Sequence, residues 1–261
     1  EPEKQAIFKI LASIYPACYF GGSELYPAVT LMSINLSLDG HAPESCHSYA
    51  AYGLLLCSRF EEYALSYEFG NLALQLAKKL RSPVQQCKCS MVMFSFIYPW
   101  SKSIQQLPAL MTATHKVGLA CGELEHAGHC GFMRAQMLFY QGTSLAKVQQ
   151  DVLPMLQFVC NTKNQVAITT LQAIQRILAN IKGDTPDEWN FDIDTMDEAR
   201  FEGNCRRANS FFALCIYHTL KAQAFYLYGH FEQALQYLKV AKNNLAYISG
   251  FYARALFSWY A

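Results

Sequence analysis

Apolar positions recur along this chain at the three- and four-residue spacing of a helix, and no stretch alternates convincingly with period two. Glu3 to Tyr15 places Ile7, Ile10, Leu11 and Ile14 on one stripe. Ser23-Glu24 is read as the start of a helix through Val29, Leu31, Ile34 and Leu36, ended by Asp39-Gly40. Pro43-Glu44 suits a first helical turn, because proline has no amide to lose there, and Tyr49, Tyr52, Leu55 and Leu56 continue that pattern. Glu61 to Leu80 is amphipathic, and its terminal Lys78, Lys79 and Arg81 suit the negative end of a helix dipole. Ser82-Pro83 opens the next helix and Pro99 closes it. Further helices are predicted over Ser103–Cys121, Glu123–Tyr140, Ser144–Cys160, Asn164–Ile181, Phe201–Tyr228 and Phe231–Ile248, with a last segment from Gly250.

Helices of about 15 residues joined by very short turns are the units from which helical solenoids are stacked. The clearest unit lies near the C-terminus, where Ala222, Phe225, Gly229, Phe231, Ala234 and Ala241 stand at the spacing of a tetratricopeptide repeat of about 34 residues. Ala222 and Ala234 let two antiparallel helices approach, Gly229 permits the tight turn, and Phe225 and Phe231 are expected to fill the gap. Ser66, Gly70 and Ala73 give a weaker copy. The fold expected is all-α, a right-handed α-solenoid of antiparallel, tetratricopeptide-like helix pairs forming a single domain over 1–261. An acidic, irregular insertion at about 183–198 breaks the rhythm, read as a solvated crossover between repeats.

Composition sharpens this picture. Hydrophobic residues make up 52% and charged residues only 16%, against a usual charged share of about a quarter. Helices buried on several faces, or a face covered by a partner, would both produce that shortage. A net charge of +1 lacks the basic footprint of a nucleic-acid binder, and 14% aromatics exclude a disordered chain. Glu1-Pro2-Glu3-Lys4 opens without an initiator Met, so a piece of a longer protein is expected. The least charged stretch, Ile10 to Leu38, is interrupted by Pro16, Gly21, Gly22 and Pro27 and reads as two buried helices rather than a membrane span. The ten cysteines sit inside apolar helical patterns and predict reduced, buried thiols of a cytoplasmic protein.

Candidate chemistry is sparse. No glycine-rich phosphate loop, nucleophile elbow or paired-histidine metalloprotease motif occurs, so neither catalysis nor a cofactor is expected. Asp192, Asp194 and Asp197 lack the mid-loop Gly and terminal Glu of a calcium loop. Cys87 and Cys89 fall on different faces of a helix. Cys121, His126, His129 and Cys130 are zinc-ligand types at a spacing that matches no common zinc module, and helix packing accounts for them equally well. The first helices of the pairs are rich in rings. Tyr49, Tyr52, Phe94, Phe139, Tyr140, Phe225 and Tyr226 are the candidates for partner contact, because aromatic side chains give large contact area at low entropic cost.

Several runs together resemble one known region: Glu24-Leu25-Tyr26-Pro27, Pro43-Glu44-Ser45, Tyr52 to Cys57, Tyr67-Glu68-Phe69-Gly70-Asn71-Leu72-Ala73-Leu74, Pro99-Trp100, Gly122 to Ala127, Gly142 to Val148 and Phe225 to Leu235. In this order they resemble the helical region of multi-sensor signal-transduction multi-kinases. Those proteins join a serine/threonine kinase and an AAA-type ATPase to such a region, followed by sensor and histidine-kinase or cyclase domains. This chain departs by its extra cysteines and by Gly122-Glu123 in place of Gly-Asp. The matching words are structural, so the resemblance implies a place in a signalling protein and transfers no active-site residue. The function expected is a non-catalytic regulatory module that binds a partner protein or flanking domains of its own chain. A small-molecule sensor with an enclosed aromatic pocket and a structural subunit of a larger assembly are the alternatives.

Overall fold

The computed structural model describes residues 2–38, 43–193 and 196–261. These residues carry thirteen α-helices: α1 (Pro2–Phe20), α2 (Leu25–Ser37), α3 (Ser45–Phe60), α4 (Tyr63–Lys79), α5 (Pro83–Val92), α6 (Leu107–Cys121), α7 (Leu124–Tyr140), α8 (Leu145–Asn161), α9 (Gln165–Lys182), α10 (Glu198–Arg207), α11 (Phe211–Leu227), α12 (Phe231–Lys242) and α13 (Ala253–Tyr260). Among the described residues there is no strand, only an isolated bridge between Ile193 and Met196. No helix among them is long and apolar enough to cross a membrane. By its internal contacts the chain forms two compact units, Glu1–Arg134 with Ser249–Tyr252, and Ala135–Ile248 with Ala253–Ala261.

Local chemistry sets the helix ends. Ser82 caps α5 by accepting the Gln85 amide, with Pro83 as the first helical residue. Asn164 and Asp197 cap α9 and α10 in the same way. The links between helices are so short that Glu61, Arg81, Lys163 and Asn209 take left-handed backbone conformations, with φ between 51° and 58°.

In the first unit α3 and α4 meet on glycine and small residues. A Cβ on Gly53 would sit 2.9 Å from the Ser66 carbonyl oxygen, and the Ser66 hydroxyl donates to the Gly53 carbonyl at 2.6 Å. On Gly70 it would sit 2.3 Å from Met93 Sδ. Helix α5 does not stop at Val92; it continues through a π-helical turn, Met93–Ile97, and a 3-10 turn, Tyr98–Trp100. The C-terminal stretch 249–252 completes this unit. Tyr19 donates to the Ser249 carbonyl at 2.7 Å, the Trp100 indole donates to the Gly250 carbonyl at 2.8 Å, and buried Phe251 packs on Phe96.

In the second unit α11 is buried over most of its length and packs against α9 and α12. Ala222, Ala234 and Ala241 are buried at that junction, and Gly229 turns the chain with φ 83°. Phe231, expected to fill the gap, is instead 57% exposed.

Three sequence expectations change. The α1 core stripe is Phe8, Leu11, Tyr15 and Tyr19, while Ile7, Ile10 and Ile14 face outward, because α1 continues through Pro16 to Phe20 and its aromatic side carries the packing. The helix expected over Phe201–Tyr228 is two helices, broken where Asn209 adopts φ 52°. The helix expected over Phe231–Ile248 ends at Lys242, and a 3-10 turn, Leu245–Ile248, follows. Asp39 and Gly40, expected to end α2, lie outside the described residues.

Candidate functional site

The first unit carries a groove of about 380 Å³ over α5, walled by α4 and α6. Its floor is the stripe Gln86, Ser90 and Phe94, one residue per helical turn, half-buried beside the buried Gln85, Cys87, Cys89 and Met91. Leu74 and Lys78 of α4 stand on one side, Leu110, Thr114 and Val117 of α6 on the other. Phe94 belongs to the π-helical turn, a distortion frequent at functional sites. Its ring meets Tyr98 edge-on at 5.9 Å, and Tyr98 lies 6.2 Å from Tyr67, whose face carries the Lys102 ammonium at 5.1 Å. The surface therefore combines largely apolar walls, a floor with one ring, an amide and a hydroxyl free of helix-capping duties, and the Lys78 ammonium.

In the second unit the corresponding face of α11, between α9 and α12, is covered by the chain's own residues 184–193 and by α10. Phe191 is buried against Phe225 at 5.6 Å and Tyr217 at 6.5 Å, with the Lys221 ammonium 4.4 Å over its ring. Trp189 stacks on His230 at 4.4 Å and leans on Phe225 at 5.4 Å. The Asn180 amide donates to the carbonyls of Asn190 (2.9 Å) and Glu188 (3.2 Å), and Arg176 Nη1 donates to that of Phe191 (2.9 Å). Glu188 bonds His230 Nε2 at 2.6 Å. The segment read as a solvated crossover is thus anchored by its two aromatic side chains. Of the supposed calcium aspartates, Asp192 and Asp197 accept backbone amides at the start of α10, and Asp194 lies outside the described residues.

The seven candidate aromatics do not form one surface. Tyr49 is buried, with its hydroxyl 3.0 Å from Ser37, and Phe225 is 2% exposed beneath Trp189 and Phe191; both are core. Periodicity places a ring on a helix without saying which neighbour covers it. Tyr52 is half-buried edge-on to Phe69. Phe94 lines the open groove. In the second unit Phe139 and Tyr140 are half-buried against each other, and Tyr226 is exposed between Phe231 and Tyr260. Sequence reasoning missed Lys78, Gln86 and Ser90 as groove residues; the signal available was the four-residue spacing of Gln86, Ser90 and Phe94.

His126, His129 and His47 come together in the first unit, beside a small cavity also lined by Tyr15, Tyr19 and Phe20. The cavity measures about 20 Å³, room for roughly one water. Glu123 binds His126 Nδ1 at 2.9 Å and Lys88 at 3.3 Å. Although burial pushes the Glu123 carboxyl up, its hydrogen bond to His126 and the Lys88 ammonium hold it down at about 2. Burial, and then the neighbouring His126 and Lys88, bring His47 down to about 3. Cys121 turns to the Gly118 carbonyl, and Cys130 is buried near Cys87. Among the described residues no three His, Cys, Asp or Glu side chains converge as metal ligands. Burial pushes the thiols of Cys57, Cys87, Cys205 and Cys215 up to about 12, far from a reactive thiolate at neutral pH. Cys160 is exposed.

No protein-family model, curated protein or solved structure matches the chain.

Proposed function

We propose that this chain is a non-catalytic regulatory interaction module of a cytoplasmic signalling protein, built as a tetratricopeptide-like stack of antiparallel helix pairs. It captures a protein segment in the groove over α5. The observation that carries this reading is the half-buried stripe Gln86, Ser90 and Phe94, lying open between α4 and α6. Apolar grooves with a few polar groups are where helical repeats hold partner segments. The resemblance to the helical region of multi-sensor multi-kinases suggests flanking domains of a parent chain as the source. Calorimetry with those domains tests it: association is expected, and Phe94→Ala should abolish it. The absence of any association, with a small molecule retained tightly through purification, would replace this reading with the sensor. The 20 Å³ histidine cavity is too small to favour that alternative. The structural-subunit alternative draws on one observation, the outward apolar residues Ile10, Leu25, Met32 and Leu38 of the first two helices and the turn after them, and predicts self-association in light scattering.

A further inference from the structure

The two crevices share a construction. In each, a middle helix offers an i, i+4, i+8 stripe: Gln86, Ser90 and Phe94 on α5, Tyr217, Lys221 and Phe225 on α11. In each, a helix earlier in the chain offers an i, i+4 pair: Leu74 and Lys78 on α4, directly before α5, and Arg176 and Asn180 on α9, separated from α11 by α10. In each, the helix after it closes the other side. The difference is occupancy. The α11 crevice holds residues 184–193 together with α10, whose Glu198 accepts from Tyr217 and Lys221; buried Phe191 and half-exposed Trp189 anchor the acidic segment, and its carbonyls take side-chain donors from α9. The α5 groove holds about 380 Å³ of open space.

We propose that the α4–α5–α6 groove takes an acidic, extended segment with an aromatic anchor from a partner protein, the same chemistry that the second unit supplies to itself. This rests on the reading of the domain as a protein-capture module. Charge supports it: among the described residues lining the groove Lys78 alone is charged, and Lys102 adds a second cation beyond Tyr98. A basic segment would meet only repulsion there. Phe94 receives the anchoring ring, as Phe225 receives Trp189 and Phe191, and aromatic pairs of this kind add to area burial. Gln86 and Ser90 serve the segment's backbone as Asn180 serves that of residues 184–193.

The chain itself supplies the probe. A fluorescein-labelled peptide of residues 184–193 is titrated into the intact protein and followed by anisotropy. Saturable binding is expected, weakened about tenfold or more by Phe94→Ala and by Lys78→Glu and retained with Lys78→Arg. Lys78 is on the surface, so its variants fold, and melting curves verify Phe94→Ala. A peptide with its acids changed to Lys, or with Trp and Phe changed to Ala, should not bind. Equal binding of the charge-reversed peptide, or binding that survives both groove substitutions, overturns the proposal. A peptide-display selection against the parent protein and Phe94→Ala separates the two levels. Phe94-dependent ligands that are basic or ring-free sink the acidic-aromatic assignment and leave protein capture standing; no Phe94-dependent ligand sinks both. A concentration-dependent dimer dissolved by Lys78→Glu would make a second copy the occupant and overturn the partner source.

Discussion

His47 shows what one buried side chain does to the response of the fold to acid. Its ring lies edge-on to Tyr15 at 4.9 Å and 6.2 Å from His126, with Lys88 and Glu123 as the nearby charges. Its folded pKa of about 3 lies below the unfolded value, so the unfolded chain binds the extra proton first as pH falls. Stability should therefore decline from about pH 6.5 toward pH 3, and His47→Gln should flatten that slope; melting temperatures across the range check it. Arg176 makes the opposite case, a cation kept charged in the interior. It is fully buried over the Phe201 ring at 4.8 Å, gives Nη1 to Phe191, and leaves Nε and Nη2 without acceptors. Replacing it by Met, of similar length and no unmet donors, should change stability by less than about 1.5 kcal/mol, whereas Arg176→Ala should cost about 3 kcal/mol. Denaturant titration distinguishes them. An Arg176→Met loss as large as that of Ala would mean the Phe191 contact dominates.

At the scale of elements, turns decide as much as cores. Lys163 and Arg81 occupy left-handed positions between helices, with φ 55° and 51°. A Cβ there is disfavoured, so Lys163→Gly and Arg81→Gly should each raise stability by about 1 kcal/mol. Gly229 is the converse. Open space surrounds it, but φ is 83°, so Gly229→Val should destabilise by about 1–2 kcal/mol through backbone strain alone. Chemical denaturation measures both signs. These turns also mark how far the sequence could be read. The Ala222–Gly229–Ala234–Ala241 spacing was legible because small residues and a glycine turn are local demands. The break at Asn209 was signalled by the polar run Arg206 to Ser210, which the extended helix reading passed over. The register of α1 was not legible, since both faces are apolar and only the tertiary neighbours decide between Ile10 and Phe8. At the groove, Phe94 could be picked by type, but its separation from Tyr49 and Phe225 depends on what covers each ring.

At the scale of the whole chain, an all-α fold predicts a helical far-ultraviolet spectrum, and a substantial sheet signal would refute it. The thiols predict that Cys160 reacts first with a thiol reagent, ahead of the buried cysteines, by mass spectrometry at short times. The return of residues 249–252 to the first unit has a consequence for how the protein is made. Tyr19, Ser58, Trp100 and Phe96 receive their last partners from Ser249, Gly250 and Phe251. A ribosome adds about 5–20 residues per second, and the segment that finishes the first unit is made only after residues 135–248 of the second. The N-terminal helices must wait, incomplete, through the synthesis of everything between. Nascent chains arrested before residue 249 should therefore show a protease-sensitive first unit that becomes resistant once residues 249–252 have emerged.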